Sequence, residues 1–338
     1  MSKILDKKPI QFPWEAVDPF LMCVHHEDNY PIGNENLGVD SSELKGRSLG
    51  NDFIKKDGYR MYNGTTVPGF PYHPHRGFET ITLLKKGYID HCDSLGGAGR
   101  FGSGDAEWMT AGKGILHSEM FPLLDQEKRN PLELFQIWIN LPKKSKFADP
   151  HFKMLWKETI PKIEEVDKNG KKVHIEVYAG DYKGNKAPQP TPNSWASTPE
   201  NGVSIFTIKM ESGTQWELPA SLVPSVNRTL YFYRGNSVVI DNQTILKNHM
   251  IRLDPKSPIV IQSGVEDTYF LLLQGKPINE PVVAKGPFVM NTEAEIEEAY
   301  AEFRKTQFGG WPWQKAELVH DRKKGRFALY ENGEEELK

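Results

Sequence analysis

Between Pro71 and Met120 the chain reads PYHPHRGFETITLLKKGYIDHCDSLGGAGRFGSGDAEWMTAGKGILHSEM, a stretch of short apolar runs cut repeatedly by glycine. Thr80 to Leu84 is β-branched and apolar, Gly87 interrupts it, Tyr88 and Ile89 resume it, and Gly96-Gly97, Gly99, Gly102 and Gly104 follow. Runs of this length and composition read as strands joined by turns rather than as a helix. The expectation is an all-β chain that folds back on itself many times.

Four of the chain's ten histidines fall in this stretch, and two short pieces carry the chemistry: His73-Pro74-His75 near its start and His117-Ser118-Glu119 near its end. Alternate side chains of a strand share a face, so each pair offers two ligands to one side. A lone histidine in a strand is ordinarily a packed or surface residue; two such pairs in one hairpin region favour a metal. Three imidazoles and one carboxylate suit a first-row transition metal better than calcium or magnesium, which take oxygen shells. Iron(II) is the leading choice, with other first-row divalent metals as alternatives. Four protein groups leave about two positions open on a six-coordinate ion. A closed structural zinc site would favour thiolates, and Cys92 is the only cysteine nearby.

Longer blocks surround these residues. HPHRGFET at His73 to Thr80 and WMTAGKGILHSEM at Trp108 to Met120 resemble the signature blocks of the pirin family within the cupin superfamily. A third block, GPFVMNT at Gly286 to Thr292, followed by an acidic amphipathic segment, is similar to the pirin C-terminal domain. The resemblance implies a bicupin, two jelly-roll β-barrels in tandem with a C-terminal helix. It also implies iron in the N-terminal barrel at positions matching His73, His75, His117 and Glu119. The activity it implies is quercetin 2,3-dioxygenase chemistry, in which a flavonol-like enol and O2 react with ring cleavage and release of carbon monoxide. The alternative is an iron-dependent, redox-sensing binding protein that regulates a transcription factor or a metabolic enzyme.

Two carboxylates carry the expected acid–base work. Glu119 is expected to serve as ligand and base together. Glu79 lies four residues after His75 and shares its face by strand parity. In many cupins a glutamate here completes the metal shell; in the pirin pattern it looks like a neighbour that orients a ligand by a hydrogen bond. Arg76 and Lys113 are the cations expected to balance its charge.

Composition sets the remaining bounds. The 338 residues suffice for two ordinary domains. A net charge of −3, from 42 basic and 45 acidic residues, gives no reason to expect direct nucleic-acid binding. Two cysteines, Cys23 and Cys92, cannot form a disulfide framework, and a reducing, cytoplasmic compartment is the natural expectation. No segment approaches the roughly 20 apolar residues of a membrane span, so no membrane association is expected. A monomer is the simplest expectation.

Read in order, the chain divides into 1–150, an N-terminal cupin barrel with the metal site; 151–310, a C-terminal cupin-like barrel without metal that ends in a helix; and 311–338, a C-terminal extension. Residues before Pro13 read as an arm. Ala16 to His25 reads as a first strand with His25 and His26 at its end, on opposite faces and outside the metal shell. Asp28 to Gly69 reads as a long loop, either a cover for the site mouth or packing. The apolar and polar alternation of Leu132 to Leu141 marks the clearest half-buried strand. Further strands are expected at Val173 to Ala179, Val203 to Met210, Thr229 to Tyr233, Ser237 to Ile240 and Thr268 to Leu273. The second half has no paired histidines; His151, His174 and His249 stand far apart. Asn291 to Phe308 is the best helix, with Thr292 and Glu295 as a capping box and Ile296, Ala299, Tyr300 and Phe303 on one face. The tail from Trp311 onward holds too many aromatics for a disordered end, and His320 within it reads as a surface residue.

Overall fold

The strand expected at Leu132 to Leu141 is present as Asn130–Asn140, with strands on both sides of it and with both faces buried over Leu132 to Phe135. The computed structural model describes residues 2–338. It is a mostly β bicupin, with one α-helix near the C-terminus among the described residues. The strands used below are β1 (Phe20–Tyr30), β2 (Gly69–His75), β3 (Phe78–Lys86), β4 (Tyr88–Asp93), β5 (Ala98–Gly102), β6 (Ala106–Thr110), β7 (Ile115–Met120), β8 (Asn130–Asn140) and β9 (His151–Leu155). Then come β10 (Lys172–Ala179), β11 (Ser204–Met210), β12 (Asn227–Arg234), β13 (His249–Leu253) and β14 (Thr268–Gly275). Helix α1 (Glu293–Thr306) and the short strands β15 (Phe327–Leu329) and β16 (Glu335–Leu337) close the chain.

The compact units are not contiguous in sequence. The first barrel comprises His25–Gln136, Leu141–Lys157 and Glu280–Lys338; the second comprises the segment up to Val24, Ile137–Asn140 and Glu158–Asn279. The expected division at Pro150 therefore needs correcting at both ends. The N-terminal residues, expected as an arm, form the strand Ile4–Pro9, whose backbone pairs with β13 of the second barrel. Helix α1, expected to end the second barrel, belongs to the first. The physical reason is visible in its contacts. Ile296 and Ala299 are buried with Phe288 and Met290 of the hairpin before the helix, and Tyr300, Phe303 and Phe308 pack on the same cluster. The expected capping box is formed, Thr292 accepting from the Glu295 amide and Glu295 from the Thr292 amide.

In the first barrel one sheet runs β9-β6-β3-β8-β1, with the two-residue strand Trp14–Glu15 beyond β1, and the other runs β16-β15-β5-β4-β7-β2. Leu84, Ile89, Phe101, Met109, Ile115 and Leu134 fill the space between them. Asp28 to Gly69 contains little regular structure, yet Tyr30, Tyr59, Met61 and Tyr62 are buried in that same core. The segment is a packed wall, anchored by Arg47, whose guanidinium lies 3.5 Å from the Tyr59 ring centre and donates to Asp52. His25 and His26 lie within β1 rather than at its end. His25 stacks on Phe135 and reaches Glu133 at 3.3 Å, while His26 is buried and pushed down to about 3 by burial and by Arg60.

The tail is folded onto the first barrel. β15 pairs with β5, and the buried Arg100 guanidinium binds Asp90 and the carbonyls of His320, Asp321 and Lys324. Glu317 accepts from the amides of Thr65 and Thr66. His320, expected at the surface, is half-buried, its Nε2 3.9 Å from Cys92 Sγ and its ring edge-on to Phe327.

The second barrel is built from a seven-stranded sheet, Ile4–Pro9, β13, β12, β14, β11, β10 and Lys162–Val166, and a four-stranded one. Its core is Val177, Phe206, Ile208, Leu230, Phe232, Phe270 and Leu272 with their neighbours. All five strands expected from the sequence are present. No helix of the described residues is long and apolar enough to cross a membrane.

Candidate metal centre

The two histidine pairs meet because β2 and β7 are antiparallel neighbours. His73 lies opposite His117, and a bulge between Phe70 and His73 sets the register. His75 follows at the alternate position of β2. The ring centres are 4.7 Å apart for His73 and His75, 4.5 Å for His73 and His117, and 5.0 Å for His75 and His117. One nitrogen of each ring lies within 4.8 Å of the others. His75 and His117 are buried and His73 is half-buried, so the cluster opens on the His73 side.

The ring tautomers follow from the backbone. His73 Nδ1 lies 2.9 Å from the carbonyl of Pro71 and His75 Nδ1 3.4 Å from that of Pro287. A carbonyl only accepts, so both Nδ1 atoms carry the proton and both Nε2 atoms present lone pairs. Those two Nε2 atoms are 3.1 Å apart. Two imidazole lone pairs facing each other at that distance repel unless a cation lies between them. Burial pushes all three rings below the usual histidine range, His75 and His117 furthest, so a shared proton is disfavoured. Both nitrogens of His117 are buried without a hydrogen-bond partner, an arrangement that costs free energy unless a ligand is supplied. The residues fit a metal ion.

Glu119 sits beside this triad rather than inside it. Its Oε2 is 3.9 Å from His117 Nε2 and accepts from Gln136 Nε2 at 2.6 Å, while Oε1 accepts from Thr82 Oγ1 at 3.0 Å. Burial and the Glu107 carboxylate push Glu119 up to about 7. Behind it, His91 lies between Glu107, at 2.8 Å from Nδ1, and Asp93, at 3.2 Å from Nε2. Burial disfavours the charged ring there, yet the two carboxylates outweigh it and raise His91 to about 10. Sequence reading missed Thr82, Gln136, Glu107 and His91. The one signal was parity: on β3, β4, β6 and β8 these residues share the parity of the core neighbours Leu84, Ile89, Met109 and Leu134.

Glu79 is a correction. Its Oε1 accepts from Thr110 Oγ1 at 2.7 Å and from Trp108 Nε1 at 3.3 Å, on the side of β3 opposite to Thr82. Parity counted from His75 fails because Arg76 and Gly77, the latter at φ +86°, turn the chain from one sheet into the other. Nor do the expected cations meet it: Arg76 pairs with Glu302 at 2.8 Å and Lys113 with Asp149 at 2.5 Å.

Comparison with known proteins agrees with the sequence blocks. The pirin family model matches residues 8–139, and the model of the pirin C-terminal cupin domain matches residues 205–309. Pirin-1 of Arabidopsis thaliana is 39% identical over 246 residues, 71% of this chain and 78% of its own. Pirin of Homo sapiens is 33% identical over 286 residues, covering 78% of this chain and 87% of its own. A crystal structure of quercetin 2,3-dioxygenase from Acinetobacter baumannii superposes with a TM-score of 0.71 at 27% identity, over 92% of this chain and 99% of that one. With the histidine triad, two matching domain models and relatives aligned over most of their length, the chain belongs to the pirin family.

Proposed function

We propose that the protein is a non-haem iron dioxygenase that cleaves a flavonol-like enol with O2. The observation that carries this reading is the pair of Nε2 lone pairs facing each other at 3.1 Å beside the unpartnered His117. The similarity to the quercetin 2,3-dioxygenase from Acinetobacter baumannii supports it. His73, His75 and His117 would hold the iron, with Glu119 at or near it. Iron(II), when bound, supplies Lewis acidity toward an enol oxygen and one-electron chemistry toward dioxygen. Three neutral imidazoles and one carboxylate around it give the site a formal charge of about +1, which favours an anionic oxygen.

The chain's own residues supply the rest. Glu119 takes the proton of the substrate hydroxyl at Oε2 or Oε1, and burial with the Glu107 carboxylate raises its affinity for that proton. Thr82 and Gln136 fix its orientation by donating one hydrogen bond to each oxygen. The pair of His91 and Glu107 keeps a compensated charge behind Glu119. Phe70 and Phe78 set their rings edge-on against His73 and His75.

Anaerobic iron loading followed by oxygen uptake with quercetin and a panel of enols and phenols tests the reading. Uptake with release of carbon monoxide, lost in His75→Ala, is the expected result. Iron bound without any turnover would overturn it and favour the redox-sensing alternative.

A further inference from the structure

The second barrel contains a cavity of about 460 Å³ that the metal chemistry does not use. Its size falls within the range of about 300–1,000 Å³ usual for small-molecule sites. Below it lies the barrel core, with Phe206 and Leu218 reaching both. Along its wall one row of residues breaks the apolar pattern. Ser204 on β11 pairs across to Gln274 on β14, which pairs across to Arg228 on β12. Each has the parity of a core residue two positions on, Phe206, Leu272 and Leu230, so the row faces inward.

These side chains are buried, at 6%, 6% and 4% exposure, and Gln274 and Arg228 are incompletely satisfied. Arg228 Nη2 donates to the carbonyl of Pro219 at 2.7 Å, but Nε and Nη1 meet no acceptor. No carboxylate of the described residues forms an ion pair with it. Gln274 Nε2 reaches Gly202 O and Ser204 Oγ only at 3.3 and 3.4 Å, and its Oε1 meets no donor. A buried guanidinium without a counter-ion is costly. Burial draws its pKa down to about 10, and the Asp254 carboxylate, which forms no ion pair with it, offsets only part of that shift. At the mouth Lys183 and Lys186 stand with Asp181, whose carboxylate accepts from the Gly184 amide. Lys183 is itself paired with Glu165 at 2.5 Å and Lys186 stands across the hairpin from Asp181, so the cation left for an anion to meet inside the cavity is Arg228.

We propose that this cavity binds a small organic carboxylate with an apolar body, the carboxylate turned toward Arg228 and Gln274 and the body against Phe206, Leu218 and Val203. Arg is suited to this because its planar fork matches a carboxylate with two parallel hydrogen bonds. The apolar wall supplies affinity and the buried polar row supplies selection for the anion. The site is separate from the histidine triad, so it stands whether or not the first barrel is a dioxygenase.

Calorimetric titration of the full chain with 2-naphthoate and with its neutral amide, 2-naphthamide, tests the proposal. The acid is expected to bind at one site per chain at least tenfold more tightly than the amide. Arg228→Gln should lose at least tenfold in affinity for the acid, with its unfolding profile as the control for folding. Ala220→Trp, which fills the cavity from its wall, should abolish binding. His75→Ala, which removes a metal ligand, should leave it unchanged. Equal affinity for acid and amide, absence of binding to the parent protein, or loss in His75→Ala but not in Ala220→Trp would each overturn the proposal. The comparison of acid and amide on the parent protein decides even if Arg228→Gln fails to fold.

Discussion

His73, His75 and His117 act as one unit because the Pro71 and Pro287 carbonyls fix the tautomers of two of them. Removing any one ring leaves the other two with an incomplete shell. His75→Ala is therefore expected to reduce iron, measured by elemental analysis after anaerobic loading, from one ion per chain to background. Glu119→Gln is expected to retain more iron than His75→Ala but to lower kcat by about 10²–10⁴-fold, the usual worth of a positioned base. Gln136→Leu should cost about 10–100-fold in kcat/KM, since it removes only the group that orients Glu119. The histidine pairs were legible in the sequence because a two-residue period puts both members on one face. Glu79 was misread for the same reason: parity is meaningless across a turn, and nothing in Arg76-Gly77 shows which sheet the chain enters next.

Lys146 makes a pH-dependent test of how the wall of the site is held. Its ammonium is fully buried and donates to the carbonyls of Gly77 and Val289, and burial lowers its pKa from 10.5 to about 8. A base with a depressed folded value binds fewer protons folded than unfolded between about 8 and 10.5, so its charge penalty is full below pH 8 and vanishes as pH rises through that window. Relative to Lys146→Met, the parent protein should gain stability between pH 8 and 10.5, read as a shift in unfolding midpoint. A gap that stays constant across that window would contradict the account. At the scale of elements, the strands of the second barrel and the capped helix were readable from alternation and from Thr292 with Glu295. Thr292→Ala should cost about 1 kcal/mol by loss of that cap, with faster hydrogen exchange confined to the first turn of α1. The Asp28 to Gly69 segment was not readable, because its buried tyrosines are held by side-chain contacts to distant strands and follow no period. Ending the chain after Gly310 would strip β5 of β15 and Arg100 of three carbonyl acceptors. A loss of stability of the order of 1–3 kcal/mol for each buried donor left unmet is expected, read as a lowered unfolding midpoint.

On the scale of the whole molecule, chain order concealed what the fold does with its two ends. The N-terminal strand belongs with the second barrel and the C-terminal helix and tail with the first. This exchange leaves no trace in composition or periodicity, because each segment is an ordinary strand or helix whichever barrel it joins. It does affect the metal centre, since Pro287, the acceptor for His75, comes from the C-terminal part of the first unit. The account rests on one ion among the three rings. Diffraction at the iron absorption edge, from crystals of anaerobically loaded protein, tests this most directly. The expected result is a single anomalous peak among the Nε2 atoms of His73 and His75 and the His117 ring. Absence of a peak there, or a peak elsewhere in the chain, would contradict it.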